Sequence, residues 1–326
     1  MNGFAGVDFN SVALTPDALD HALHAMLRTG VTTCLPTLIT APEDVLAARF
    51  AALDAAVASS RFGKLMVPGY HLEGPFLSPL DGYAGCHPPE AMVPPDAALI
   101  ERIEAELQRP ILLLTLAPEL AGAAALIRWC RARGKIVALG HTAAHRAEIV
   151  DAAAAGATLS THLGNAAARI QHKFDNPILA QLAEDGLAAC FIADGLHIPP
   201  FALKAMIRAK GLCRGILVTD ATAAAASPAG RYDFAGMTVE RTPAGEVRAP
   251  GSLMLAGSAL TLDQAVRNLI AWGIAEAGEA IRMASDHPAR ALRPALEAHD
   301  MRLPDSQIIW SDAFAPTGIR LGDLAV

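Results

Sequence analysis

The sequence predicts an α/β fold built as a (β/α)8 barrel, and three observations carry that expectation. Seven short, continuous apolar runs alternate with longer stretches of helical spacing before residue 223. Strands apolar on both faces imply a parallel sheet covered by helices. None of the seven runs is followed by G-x-G-x-x-G, which weakens the open doubly wound alternative. About eight strands in roughly 250 residues is the proportion of a closed barrel, so the count is one short.

In order, the predicted strands lie in "GVTTCLPTLIT", "KLMVPGYHLEG", "PILLLTLAPE", "KIVALGHT", "ATLSTHLGN", "LAACFIADGLH" and "GILVTDAT". The clearest helices between them are "PEDVLAARFAALDAAVAS", "ELAGAAALIRWCRARG" and "AHRAEIVDAAAAG". After the seventh run, Gly, Pro and alternating β-formers predict a hairpin excursion over 231–255. Helical patterns resume at "SALTLDQAVRNLIAWG" and "EAIRMASDHPARALR", and "DSQIIWSDAFAPTGIRLGDLAV" reads as two short strands. The domain expectation is a barrel over 1–300 and a remnant of a small β-sandwich over 301–326.

Bulk properties exclude several classes. A net charge of −7 argues against a nucleic-acid partner, and 5% aromatic content argues against base stacking. The five cysteines are odd in number and widely spaced, without a C-x-x-C pair, against a disulfide framework or a Cys-zinc site. The most apolar stretch, 111–127, is broken by Pro118 and Glu119, so no membrane span is expected. The expected compartment is the cytoplasm.

Catalytic groups of such barrels sit at the C-terminal ends of the strands. Five of the seven runs end in ligand-type residues: Glu73, His141, His162, His197 and Asp220. Each alone reads as a structural residue, but five titratable groups facing one cleft are costly without a function. Two imidazoles and a carboxylate make a common catalytic zinc shell. A shell of that kind would hold one divalent ion, zinc by default, with Fe2+, Co2+ or Mn2+ compatible with the same donors. Asp220 suits the general acid/base and His197 an oxyanion or substrate contact. The chemistry expected is metal-assisted hydrolysis of an amide or similar carbon–nitrogen bond.

The motifs "HLEGPF", "GH-T", "THLGNA", "ADGLHIPP", "LVTDA" and "LAGSALTLDQAVRN" occur in the order found in N-acetylglucosamine-6-phosphate deacetylases, and the chain resembles that family over nearly its whole length. The resemblance implies a barrel plus a small β-sandwich, a homodimer, and hydrolysis of the sugar phosphate's acetamide to glucosamine 6-phosphate and acetate. It implies metal ligation by Glu73, His141 and His162, with Asp220 as general acid/base. Substrate contacts are implied for Cys86 and catalytic His87, for Asn165 and Ala166, and for Asp194, Gly195, Leu196 and His197. A further substrate-contacting turn is implied at Leu255, Ala256 and Gly257. Lys173 stands near the offset of the basic residue that grips phosphate from a neighbouring subunit. The family often has an aromatic residue at Gly164 and methionine at Ala167. Alternatives are a deacylase of another N-acyl sugar or amino acid, or an inactive truncated homologue. A dihydroorotase-like enzyme is disfavoured, because no strand end offers a lysine.

The opening "MNGFAGVDFN" resembles the tail of the family's first barrel strand, with Asn2 where two-metal relatives place a second histidine. The expectation is that strand one is missing, leaving an open seam with exposed apolar surface and two unpaired strand edges.

Overall fold

A two-stranded hairpin, β1 (Gly3–Phe4) with β2 (Val7–Asp8), opens the chain in a computed structural model that describes residues 1–252 and 254–326. Helix α1 (Pro16–Arg28) follows. Thr15 caps it by accepting the Ala18 N–H, and proline stands at its first position, where no N–H is needed. Its buried stripe of Leu19, Ala22, Leu23, Met26 and Leu27 keeps helical period.

The β/α alternation then runs β3 (Thr37–Ile39), α2 (Glu43–Ser59), α3 (Gly63–Met66), β4 (Tyr70–Glu73), α4 (Ala97–Glu104), β5 (Ile111–Leu116) and α5 (Ala123–Ala132). It continues through β6 (Ile136–Leu139), α6 (Arg146–Ala155), β7 (Leu159–Ser160), α7 (Pro177–Ala183), β8 (Ala188–Ile192), α8 (Pro200–Lys210) and β9 (Gly215–Val218). Strands β3 to β9 form one seven-stranded parallel sheet in sequence order, the curved wall of a TIM-type barrel. Every residue of β4 and β6 is buried, as strands covered on both faces require.

The expected seam takes a different form. The Thr37 N–H donates to the Met1 carbonyl (2.8 Å), and the N–H groups of Asn2 and Gly3 donate to the Ala221 carbonyl (2.7 and 3.2 Å). Backbone of residues 1–3 thus bridges the first strand to the segment after the last, instead of leaving both edges unpaired. Leu35 and Val218 stay partly exposed and pack with Ala291, Leu292, Ala295 and Leu296.

Strands β10 (Gly230–Phe234), β11 (Met237–Arg241) and β12 (Val247–Arg248) form an antiparallel sheet in the place expected for the hairpin. Phe234, Val239 and Val247 are buried there with Ile39, Ala224 and Ala256. Helices α9 (Leu262–Ala271), α10 (Ala277–Ala284) and α11 (Asp286–Ala298) follow. The chain closes on β13 (Ser306–Trp310), β14 (Pro316–Leu321) and β15 (Leu324–Ala325), one strand more than expected. Ile319 and Leu321 are buried in the same cluster as the α1 stripe, so this sheet packs directly on the first helix. Among the described residues no helix is long and apolar enough to cross a membrane.

Candidate metal centre and active-site cavity

Glu73 is the last residue of β4, His141 lies two residues beyond β6, and His162 two beyond β7. All three side chains are buried at one end of the sheet. His141 Nε2 and His162 Nε2 are 3.2 Å apart, and Glu73 Oε1 is 3.1 Å from His162 Nε2 and 3.3 Å from His141 Nε2. Both histidines hold positive φ, 51° and 28°, which turns their rings inward just past the strand ends.

The donor set fits a single ion. Ligands bonded at about 2.0–2.1 Å in a tetrahedral shell lie about 3.3 Å apart, the spacing observed. The Nδ1–H of His141 donates to the Tyr83 carbonyl (3.0 Å), which leaves Nε2 free of a proton for coordination. Burial pushes the Glu73 carboxyl up, but the imidazoles of His141 and His162 beside it prevail and hold it well below the usual carboxylate range. His162 runs the other way: burial lowers it, and the Glu73 carboxylate more than offsets this. The Glu73 carboxylate is the negatively charged donor of this set, suited to a cation.

These residues open onto a cavity of about 770 Å³, within the usual size range for a small-molecule site. Cys86, His87, Asn165, Ala166, His197, Asp220, Leu255 and Gly257 line it. Asp220 Oδ1 accepts from Asn2 Nδ2 (2.8 Å). His87 Nδ1 lies 2.8 Å from Thr40 Oγ1, and its ring meets that of His141 edge-on at 4.3 Å. Burial holds the His87 imidazole well below its ordinary value, so it is neutral. Burial likewise raises the Cys86 thiol, so it is a wall of the cavity and not a thiolate.

Other residues named from the sequence stand outside this lining. Asp194 does not line the cavity: its carboxylate accepts the Nδ1–H of His197 (2.6 Å) and the N–H groups of Leu196 and His197 (both 2.9 Å). Those bonds overcome burial and lower its pKa, and they fix which ring atom His197 turns to the cavity. Gly195 stacks under Trp272, Leu196 is 41% exposed, and Ala256 is buried behind the lining turn. Lys173 is exposed over the Phe174 ring, away from this chain's cavity.

Sequence reasoning missed several residues, and named Asn2 without its partner. Glu119 accepts from Thr142 Oγ1 and from the Ala143 N–H (2.7 Å), anchoring the turn that carries His141. Thr40 and Asn2 brace His87 and Asp220, and Asp81 and Arg169 line the cavity. Two glycines are required by geometry. A Cβ at Gly74, where φ is +84°, would overlap Thr40 Oγ1, and one at Gly257, where φ is +66°, would lie 3.0 Å from the Asp220 carbonyl oxygen.

The model of the amidohydrolase family matches residues 12–295. An N-acetylgalactosamine-6-phosphate deacetylase of Escherichia coli O157:H7 is 36% identical over 299 residues, 90% of this chain and 75% of that relative. An N-acetylglucosamine-6-phosphate deacetylase of Bacillus subtilis (strain 168) is 39% identical over 215 residues, 66% of this chain and 53% of that one. Among solved structures, N-acetyl-D-glucosamine-6-phosphate deacetylase from Mycobacterium smegmatis superposes with a TM-score of 0.88 at 29% identity, covering 100% of this chain and 85% of the other.

Proposed function

The chain belongs to the amidohydrolase family, and from that membership we propose that it hydrolyses the acetamide of N-acetylglucosamine 6-phosphate to glucosamine 6-phosphate and acetate. The observation that carries this reading is the convergence of Glu73, His141 and His162 with Asp220 and His197 on one cavity, in a chain whose relatives are named amino-sugar-phosphate deacetylases.

Glu73, His141 and His162 would hold one divalent ion, zinc by default, and a bound ion supplies Lewis acidity to the amide carbonyl and the attacking water. Asp220 takes the proton from that water as its oxygen bonds to the carbonyl carbon, then gives it to the amine nitrogen as the C–N bond breaks. His197, held by Asp194, contacts the substrate or the developing oxyanion. Neutral His87, Cys86, Asn165 and Ala166, with Leu255 and Gly257, shape the sugar and acetamide subsites.

The finer expectations rest on separate support. A homodimer agrees with the exposed apolar residues Ile170, Phe174 and Phe201, beside which Lys173 would reach a partner's sugar phosphate. Five free cysteines suit the reducing cytoplasm.

The test is acetate release from N-acetylglucosamine 6-phosphate and its galacto epimer by the metal-loaded protein, with metal content measured on the same sample. The expected result is near one zinc per chain and a higher kcat/KM for the gluco substrate. Preference for the galacto epimer would move the assignment to the activity named for the Escherichia coli relative. No acetate from either would overturn the reading.

A further inference from the structure

We infer that Asn2 is the positioning residue of Asp220, its side-chain amide fixing the orientation of the carboxylate that handles the proton. Four backbone bonds secure the first three residues around it. Asn2 N–H and Gly3 N–H both reach the Ala221 carbonyl, next to Asp220, the Asn2 carbonyl accepts from Phe9 N–H (2.9 Å), and the Met1 carbonyl accepts from Thr37 N–H. Held in this way, and only 2% exposed, the side chain has little freedom. Its Nδ2 lies 2.8 Å from Asp220 Oδ1.

The assignment of the amide follows from chemistry. The contact pairs the amide's NH2, which can only donate, with a carboxylate oxygen, which accepts. Asp220 itself sits at φ +49°, a conformation unfavourable for a residue with a Cβ, and such strain persists only where neighbours impose it. Asn2 also lines the cavity, and its Oδ1 is buried with no partner among the described residues. A purely space-filling residue there would be apolar, because burying an amide with one end unpaired is costly.

The inference rests on the deacetylase reading for its catalytic part, and the experiment separates the two. At pH 8, Asn2→Ala, the isosteric apolar Asn2→Leu and the isosteric Asn2→Asp are compared with wild type for kcat, KM, bound metal and Tm. The expected result is a fall in kcat of about ten- to hundredfold in Asn2→Ala and Asn2→Leu, with KM and metal content near wild type. Asn2→Asp is expected to be worse than either, because it replaces the donor by a like charge. Its Tm is also expected to fall below that of Asn2→Ala and to recover when Asp220→Asn is added. That coupling is read without turnover, so it stands even if the wild type releases no acetate and the deacetylase reading fails. Full kcat in Asn2→Leu, or Asn2→Asp milder than Asn2→Ala in both kcat and Tm, would overturn the inference. Should Asn2→Asp fail to fold, Asn2→Leu decides it alone.

Discussion

Asp194 and His197 form a pair closed within one loop. Asp194 receives three hydrogen bonds there, one of them from the imidazole of His197. Asp194→Asn keeps the shape but unsettles the tautomer of His197. The expected outcome is a loss of about ten- to hundredfold in kcat/KM, with bound metal unchanged by elemental analysis. Loss of metal instead would show that the loop supports the centre and not the substrate. At this scale the sequence was most informative where a titratable residue ended an apolar run: Glu73, His141, His162 and Asp220 were all legible. Their braces were not. Asn2 meets Asp220 from 218 positions away, and Thr40 meets His87 from 47, and neither pairing leaves a trace in local pattern. Glu119 ends an apolar run too, yet its carboxylate turns to a neighbouring turn, which run ends alone cannot reveal.

Strands were legible as elements but not in extent. The run "KLMVPGYHLEG" yields only Tyr70–Glu73 as strand, because its first residues coil into the short helix Gly63–Met66. A continuous apolar run does not say which of its residues pair. Helix α11 was expected simply as a helix, and the structure gives it a specific task. Ala295 and Leu296 are buried against Ile136, Leu159 and Ile216 from three different strands, and His287 Nδ1–H donates to the Gly215 carbonyl (2.8 Å). Leu296→Ala is expected to lower stability by about 2–4 kcal/mol in urea unfolding, while the kcat of the surviving native protein stays near wild type. A turn within the site should behave in the opposite way. Gly257→Ala puts a methyl against the Asp220 carbonyl and forces a strained φ, so a cost of about 1–3 kcal/mol is expected together with a clear fall in kcat.

Across the whole molecule, the order of seven parallel strands and the hairpin excursion were readable, because each follows from local patterning. What bridges the first and last strands was not, because it depends on three residues reaching both at once. Burial sets one global pH response. Desolvation pushes the thiols of Cys34, Cys130 and Cys190 up to about 12 from an ordinary value near 9. Folded chains therefore keep these protons while unfolded chains release them, so stability is full below about pH 9 and falls as pH rises from there toward 12. Urea unfolding from pH 8 to 10.5 checks the sign, and a triple Cys→Ala variant should flatten the slope. Exposed Cys213 is expected to react first with a thiol reagent in the native state. Finally, the three donor atoms come from residues 21 and 89 positions apart in the chain. No short peptide of this sequence can present them together; they meet only after β4, β6 and β7 have taken their places. An ion that binds there acts as a reversible cross-link among distant parts of the chain and distinguishes the assembled barrel from every open form. At a free concentration a hundred times its Kd it adds about 2.7 kcal/mol to stability, so a chelator should lower Tm even in a variant such as Asp220→Asn that turns over nothing.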